Sequence, residues 1–191
     1  MNQKNLLEVD WSKIPAPSDD GAAAHLVGMT IPPLSLMATD DTSVTLSALP
    51  GRIVVFAYPR TGEPGKISLV DDWDMIPGAR GCTPQACSFR DLFAELKAAG
   101  AKLVFGLSTQ SNPYQTEMAS RLHLPFAVLS DAKLALTRAL NLPTMEVAGD
   151  ILIKRLAMVI DDARITHVFY PVFPPDRNAG DVVAWLKQNR V

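Results

Sequence analysis

The sequence has little cysteine: two residues among 191, five positions apart, at Cys82 and Cys87. That excludes a disulfide framework, and a loop so short gains little entropy from a permanent crosslink. Histidine is scarce as well, with His25, His123 and His167 all distant from the cysteines in sequence. Structural zinc wants four ligands, so no metal and no cofactor is expected. No apolar run reaches the ~18 residues of a membrane span, so no membrane association is expected. An excess of charge of one sign is missing too. The formal net charge is −2, which gives no bulk attraction for nucleic acid or anionic lipid. Internal repeats and low-complexity tracts are absent. The opening MNQKNLLEVDWSK lacks a basic stretch followed by an apolar one, so no secretory signal and a cytoplasmic location are expected.

What remains is the composition of an ordinary globule, 48% apolar and 20% charged, long enough for one domain with its own core. Fifteen prolines cluster in segments that must be loops. Residues 1–22 are polar and proline-bearing and read as an N-terminal arm. The apolar residues of LLEVDW could dock on a partner or on the domain. Residues 23–191 form the domain.

Residues 34–48 alternate around Asp40-Asp41 and predict a hairpin. RIVVFAY at 52–58 is a continuous apolar run, as in a strand buried on both faces. Residues 60–81 form a long Gly/Pro-interrupted loop, a length that in a compact domain points either to function or to an element the assignment misses. Phe89, Leu92, Phe93 and Leu96 fall at helical spacing. Pro84 suits the first turn of that helix and Gly100 its end. Further strands are expected at 102–108, 126–129, 154–161 and 164–170, and helices at 112–123, 132–141 and 178–190. Two of those strands meet at a tight Asp162-Ala163 turn. The order predicts an α/β fold with a mixed central sheet flanked by helices.

Cys82 falls at the start of a helix, where unsatisfied N–H groups and the helix dipole favour a thiolate, and Arg80 adds positive potential. A buried structural cysteine is the alternative. On an intact helix, residues five apart are separated by about 8 Å, whereas a disulfide needs Cα atoms within about 6.8 Å. A Cys82–Cys87 bond therefore requires the first turn to unwind. The C-x-x-C of a disulfide reductase is missing. A peroxidase needs a thiolate, donors for the peroxide oxygens and a second thiol. The fixed fork of arginine suits the donor role, and Arg60, Arg80, Arg90 and Arg155 are candidates.

GCTPQACSFRD at 81–91 resembles the active-site segment of peroxiredoxins of the bacterioferritin-comigratory, or PrxQ, type. VVFAYP at 54–59, LPFAVLSD at 124–131 and RLAMVID at 155–161 are similar to further patterns of that family. The resemblance covers most of residues 30–190. It implies a thioredoxin-like fold with an N-terminal extension, and a thiol peroxidase acting on hydrogen peroxide, organic hydroperoxides or both. It implies Cys82 as the peroxidatic cysteine and Cys87 as the resolving one, joined as an intramolecular disulfide. It also implies Arg155 as the group orienting thiolate and peroxide, and a thioredoxin-like reductant as partner. One departure stands out. Pro59 lies 23 positions before Cys82, where the family pattern Pro-x-x-x-Thr-x-x-Cys has seven. Ala79 holds the place of the family threonine. Thr61 is the candidate to supply that hydroxyl if the inserted loop bulges away. Trp73, Met75 and Ile76 would give the loop an apolar face over the pocket, favouring organic hydroperoxides, or would merely pin the loop to the core. The alternative function is a redox sensor or binding module on the same fold with weak turnover. A monomer and a homodimer are both compatible with the sequence.

Overall fold

A computed structural model describes residues 9–190 of the chain. Leu6 and Leu7 of the LLEVDW segment lie outside the described residues. The strands are β1 (Ser35–Ala38), β2 (Ser43–Thr45), β3 (Arg52–Ala57), β4 (Leu103–Ser108), β5 (Val128–Ser130), β6 (Thr144–Val147), β7 (Asp150–Ile153), β8 (Leu156–Asp161) and β9 (Arg164–Phe169). The α-helices are α1 (Cys82–Asp91), α2 (Phe93–Ala98), α3 (Asn112–Arg121), α4 (Ala135–Leu140) and α5 (Asn178–Gln188). Seven strands form one sheet in the order β2-β1-β5-β4-β3-β8-β9. β3 pairs in parallel with β4, and β4 with β5, while β8 lies antiparallel to β3. The sheet is therefore mixed, as the order of elements predicts.

β3 sits at the centre, and all six of its residues are buried. Its side chains alternate between two cores, as the period of a strand requires. Val54, Phe56 and the following Tyr58 face a core shared with α1, α3 and α5. Ile53, Val55 and Ala57 face the other core, with Leu136 and Leu140 of α4. Phe56 stacks flat on Phe89 of α1, with ring centroids 4.1 Å apart. It also meets the edge of Phe126 at 5.6 Å. This aromatic set fixes α1 on the sheet, and α1 carries both cysteines.

Two features depart from the sequence expectation. The helix predicted across 84–99 is broken at Leu92, which relaxes to φ −99°, ψ 16°. Its N–H still reaches Ser88 O, so the chain bends rather than stops, and Phe89 and Leu96 both stay fully buried. The β6–β7 hairpin is additional. Its turn, Ala148-Gly149, has positive φ at both residues, the geometry that suits a two-residue hairpin. The hairpin gives the long 60–81 loop something to pack on. Trp73, Ala79, Val147 and Leu152 form a small buried cluster of their own, flanked by Leu69, Val70, Ile76 and Met145. Met75 does not join it and is exposed. Among the described residues no helix is long and apolar enough to cross a membrane.

The N-terminal arm lies along the domain. Lys154 and the Tyr170 hydroxyl both donate to Asp20, at 2.6 and 2.7 Å. Trp11 reaches the turn Pro175–Arg177 that leads into α5.

Candidate active site

Cys82 is the first residue of α1. The residue before it, Gly81, has φ +105°, and a Cβ there would come within 2.6 Å of Pro175 and 2.7 Å of Trp11. Only glycine combines that backbone with that close approach. Cys82 is thereby held at the base of a narrow recess, 3% exposed. As a thiol it donates to Ala79 O at 3.5 Å.

The Arg155 guanidinium stands over the sulfur, with Nη2 3.2 Å from Cys82 Sγ. Arg155 directly precedes β8 rather than lying within it, and is itself 3% exposed. A buried cation needs its donors satisfied; Nε of Arg155 is buried with no hydrogen-bond partner among the described residues, and the two terminal nitrogens carry the contacts. Here Nη2 also donates to the carbonyls of Gly78, Ala79 and Arg80, at 3.1–3.2 Å. Nη1 donates to Gln85 Oε1. Gln85 Nε2 in turn donates to Asn178 Oδ1 at 2.9 Å. Both amide side chains are buried, so a relay from α5 through α1 fixes the guanidinium. The tail of the inserted loop supplies its carbonyl cradle.

The recess is lined by Arg60, Thr61, Gly62, Trp73, Arg80, Gly81, Cys82, Thr83 and Pro84, and has a volume of about 30 Å³. Arg60 and Arg80 stand in its wall. Each is held by a carboxylate at 3.6 Å, Asp150 for Arg60 and Asp74 for Arg80. Arg90, the remaining arginine candidate, points elsewhere, to Asp91 and Leu122 O.

The structure brings Thr61 into the recess although it is 21 positions from Cys82 in sequence. Its hydroxyl donates to Gln110 Oε1 at 3.1 Å, and its backbone N–H donates to the same oxygen at 2.9 Å. Its carbonyl accepts from Gln110 Nε2 and from the Tyr114 hydroxyl. Gln110 thus clamps Thr61 from both sides. Sequence reasoning missed Gln110, Gln85 and Asn178. Their partners lie 49, 70 and 93 positions away, respectively.

Cys87 lies on the buried side of α1, 7% exposed. Burial pushes its thiol pKa up, opposed in part by Arg90. Both cysteines are free thiols, and α1 is continuous between them. A raised pKa keeps Cys87 protonated, and only the thiolate alkylates. In Cys82→Ser protein, the midpoint of the iodoacetamide rate–pH profile for Cys87 is expected above that of the urea-unfolded chain. A midpoint at or below the unfolded one would contradict this. Among the described residues no group of three His, Cys, Asp or Glu side chains could hold a metal ion.

Comparisons with known proteins agree on what this arrangement resembles. The family model described as Redoxin matches residues 26–183. Peroxiredoxin Q, chloroplastic, of Sedum lineare is 27% identical over 161 residues, covering 84% of this chain and 77% of the relative. Peroxiredoxin bcp1 of Schizosaccharomyces pombe is 30% identical over 131 residues, covering 68% of this chain and 58% of the relative. Among solved structures, Peroxidoxin BcpB of Mycobacterium tuberculosis superposes with a TM-score of 0.69 at 27% identity. It covers 86% of this chain and 98% of that one.

Proposed function

The chain belongs to the redoxin family, as a thioredoxin-fold peroxiredoxin of the PrxQ type and so a thiol peroxidase, and from that premise we propose that Cys82 attacks the peroxide and Cys87 resolves the product. The observation that carries this is the 3.2 Å contact between Arg155 Nη2 and Cys82 Sγ, at a cysteine that lines one recess with Thr61. A guanidinium there stabilises negative charge on the departing oxygen.

The Cys82 thiolate attacks one peroxide oxygen; an S–O bond forms and the O–O bond breaks. The leaving oxygen takes a proton and departs as water or an alcohol, and Cys82 is oxidised to a sulfenic acid. The Cys87 thiol displaces the sulfenic hydroxyl as water, forming a Cys82–Cys87 disulfide. A dithiol reductant of the thioredoxin type reduces that disulfide to two thiols and leaves as its own disulfide. Cys82 and Cys87 sit in one helix, so no second subunit is needed and a monomer suffices. Thr61 supplies the hydroxyl face of the recess in place of the family threonine, supported by the position that Gln110 gives it. Trp73 offers an apolar wall for the alkyl part of an organic hydroperoxide. The paucity of cysteine and the need for a dithiol reductant support a reducing compartment, the cytoplasm.

Stopped-flow oxidation of the reduced protein by hydrogen peroxide and by cumene hydroperoxide tests this reading. The expected result is a peroxide-dependent first phase and a peroxide-independent second one. Peptide mapping of the product is expected to show a Cys82–Cys87 disulfide, with a mass loss of two hydrogens, that reduced thioredoxin removes. Oxidation as slow as that of a free thiol, with no recycling, would overturn the peroxidase cycle in favour of a redox sensor.

A further inference from the structure

The disulfide step demands that the first turn of α1 come apart, because residues five apart on a helix are too distant to bond. The residue leading into that turn is Gly81, and the arm sits on it. Trp11 Cη2 lies 2.7 Å from where a Gly81 Cβ would be, with Pro175 on the other flank. The indole is not loosely placed. Its N–H donates to Asp176 Oδ2 at 2.8 Å, and its ring meets Phe173 edge-on at 5.9 Å. Asp10 caps the short turn Trp11–Lys13 that presents it, accepting from the Ser12 N–H and hydroxyl.

The arm then continues past the other end of the arginine cradle. Pro17 packs 3.6 Å from where a Gly78 Cβ would be, and Gly78 O is one of the acceptors of Arg155. Asp20 anchors the far end on Lys154, the neighbour of Arg155, and on Tyr170. All of this precedes residue 26, where the match to the family model begins. The arm therefore lies outside the part of the chain that the family model matches. It is tied at both ends and crosses the backbone that must move.

We propose that Trp11 is a positioning residue for the second half of the reaction: packed on Gly81, it keeps the first turn of α1 wound and so sets the rate at which oxidised Cys82 leaves its recess to meet Cys87. The inference rests on the proposed Cys82–Cys87 cycle. Winding favours the state in which Cys82 reacts with peroxide, and unwinding favours the state in which it is resolved. A side chain touching only the hinge shifts the balance between these states without contacting substrate. The cost of a slow hinge is a longer-lived sulfenic acid, open to a second peroxide and oxidation to the sulfinic acid.

The test is acid-quenched mass spectrometry of the full chain after mixing with peroxide, comparing Trp11→Ala and Trp11→Phe with the unaltered protein. Mass readout avoids dependence on the fluorescence of the residue removed. In Trp11→Ala, conversion of sulfenic acid to disulfide is expected to be about ten-fold faster, the size of one lost aromatic contact. The first phase is expected to stay within about two-fold. The sulfinic fraction at excess peroxide is expected to fall in step, and Trp11→Phe to recover most of the slow resolution. An unchanged second phase, or both phases slowed together, would overturn the clamp. If Trp11→Ala does not fold, Asp176→Asn weakens the indole hydrogen bond while leaving the ring, and a two- to three-fold acceleration is expected; no acceleration there overturns it equally. Absence of the disulfide in the unaltered protein would instead overturn the cycle itself. A disulfide that forms at the same rate in every variant would overturn only the role of Trp11.

Discussion

Cys82→Ser is expected to abolish catalytic peroxide consumption, whereas Cys87→Ser is expected to consume about one equivalent of peroxide and stop. The two variants separate the two halves of the cycle. Serine keeps the size and the hydrogen-bonding capacity of the residue at the base of the recess. Its hydroxyl still accepts from Arg155 Nη2 and donates toward Ala79 O, so the cradle and the first turn of α1 keep their partners. It lacks an accessible anion at neutral pH and a polarisable nucleophilic atom, and the nucleophile in this chemistry is the thiolate. Melting temperature is therefore expected to hold while turnover in a thioredoxin-coupled assay falls to the blank. In Cys87→Ser the attack is intact and the resolution is missing. The sulfenic acid at Cys82 should be trapped by dimedone, one adduct per chain. Turnover by Cys82→Ser protein would remove Cys82 from the mechanism, and continued turnover by Cys87→Ser would pass resolution to a thiol outside this chain.

Much of the frame was legible in the sequence because it is local. The RIVVFAY run reads as a doubly buried strand, and β3 is buried at every position. The spacing of Phe89, Leu92, Phe93 and Leu96 reads as one helix. The structure keeps the burial of Phe89 and Leu96 but bends the chain at Leu92. The β6–β7 hairpin escaped because its strands are four residues long and mostly turned to solvent. Only Val147, Leu152 and Ile153 of it are buried, too few to mark a period. Its role is legible only with the 60–81 loop in place, since the two bury each other around Trp73.

The site divides in the same way. Cys82 and Cys87 stand out from their position on α1, and Arg155 from a charge at the edge of an apolar strand. What makes the arginine usable is not local. Three consecutive carbonyls come from the end of the loop, one amide from α1 and one from α5. No window of sequence contains two of those three contributions and the arginine together. The loop itself is the clearest case. Read in one dimension it displaces the family threonine by an insertion. In three dimensions it folds away over the β6–β7 hairpin and leaves its two ends, Thr61 and Gly78–Arg80, beside the cysteine.

That convergence sets the expectation for the arginine. Arg155→Met should slow oxidation of Cys82 by about 10²–10³-fold, the loss typical of removing one donor aimed at developing charge. Arg155→Lys should recover little of it. An ammonium can replace the charge, but it is a single point on a flexible stem, and the site uses a fork. In the structure Nη2 alone serves the sulfur and three carbonyls while Nη1 holds Gln85. A lysine Nζ cannot occupy both places. It would leave either Gln85 or the carbonyl set unpaired in a buried site, a penalty of about 1–3 kcal/mol for each lost partner. Both variants are therefore expected to lose some thermal stability, and the lysine variant is not expected to be spared. The decisive measurement is the second-order rate of the first phase against hydrogen peroxide, with the disulfide-forming phase followed in the same traces. A large fall in the first phase with a disulfide still formed at the end places the arginine at peroxide attack. Equal losses in both phases would make Arg155 a structural strut for α1. An Arg155→Lys variant within about three-fold of the unaltered rate would show that charge alone, without the fork, carries the step.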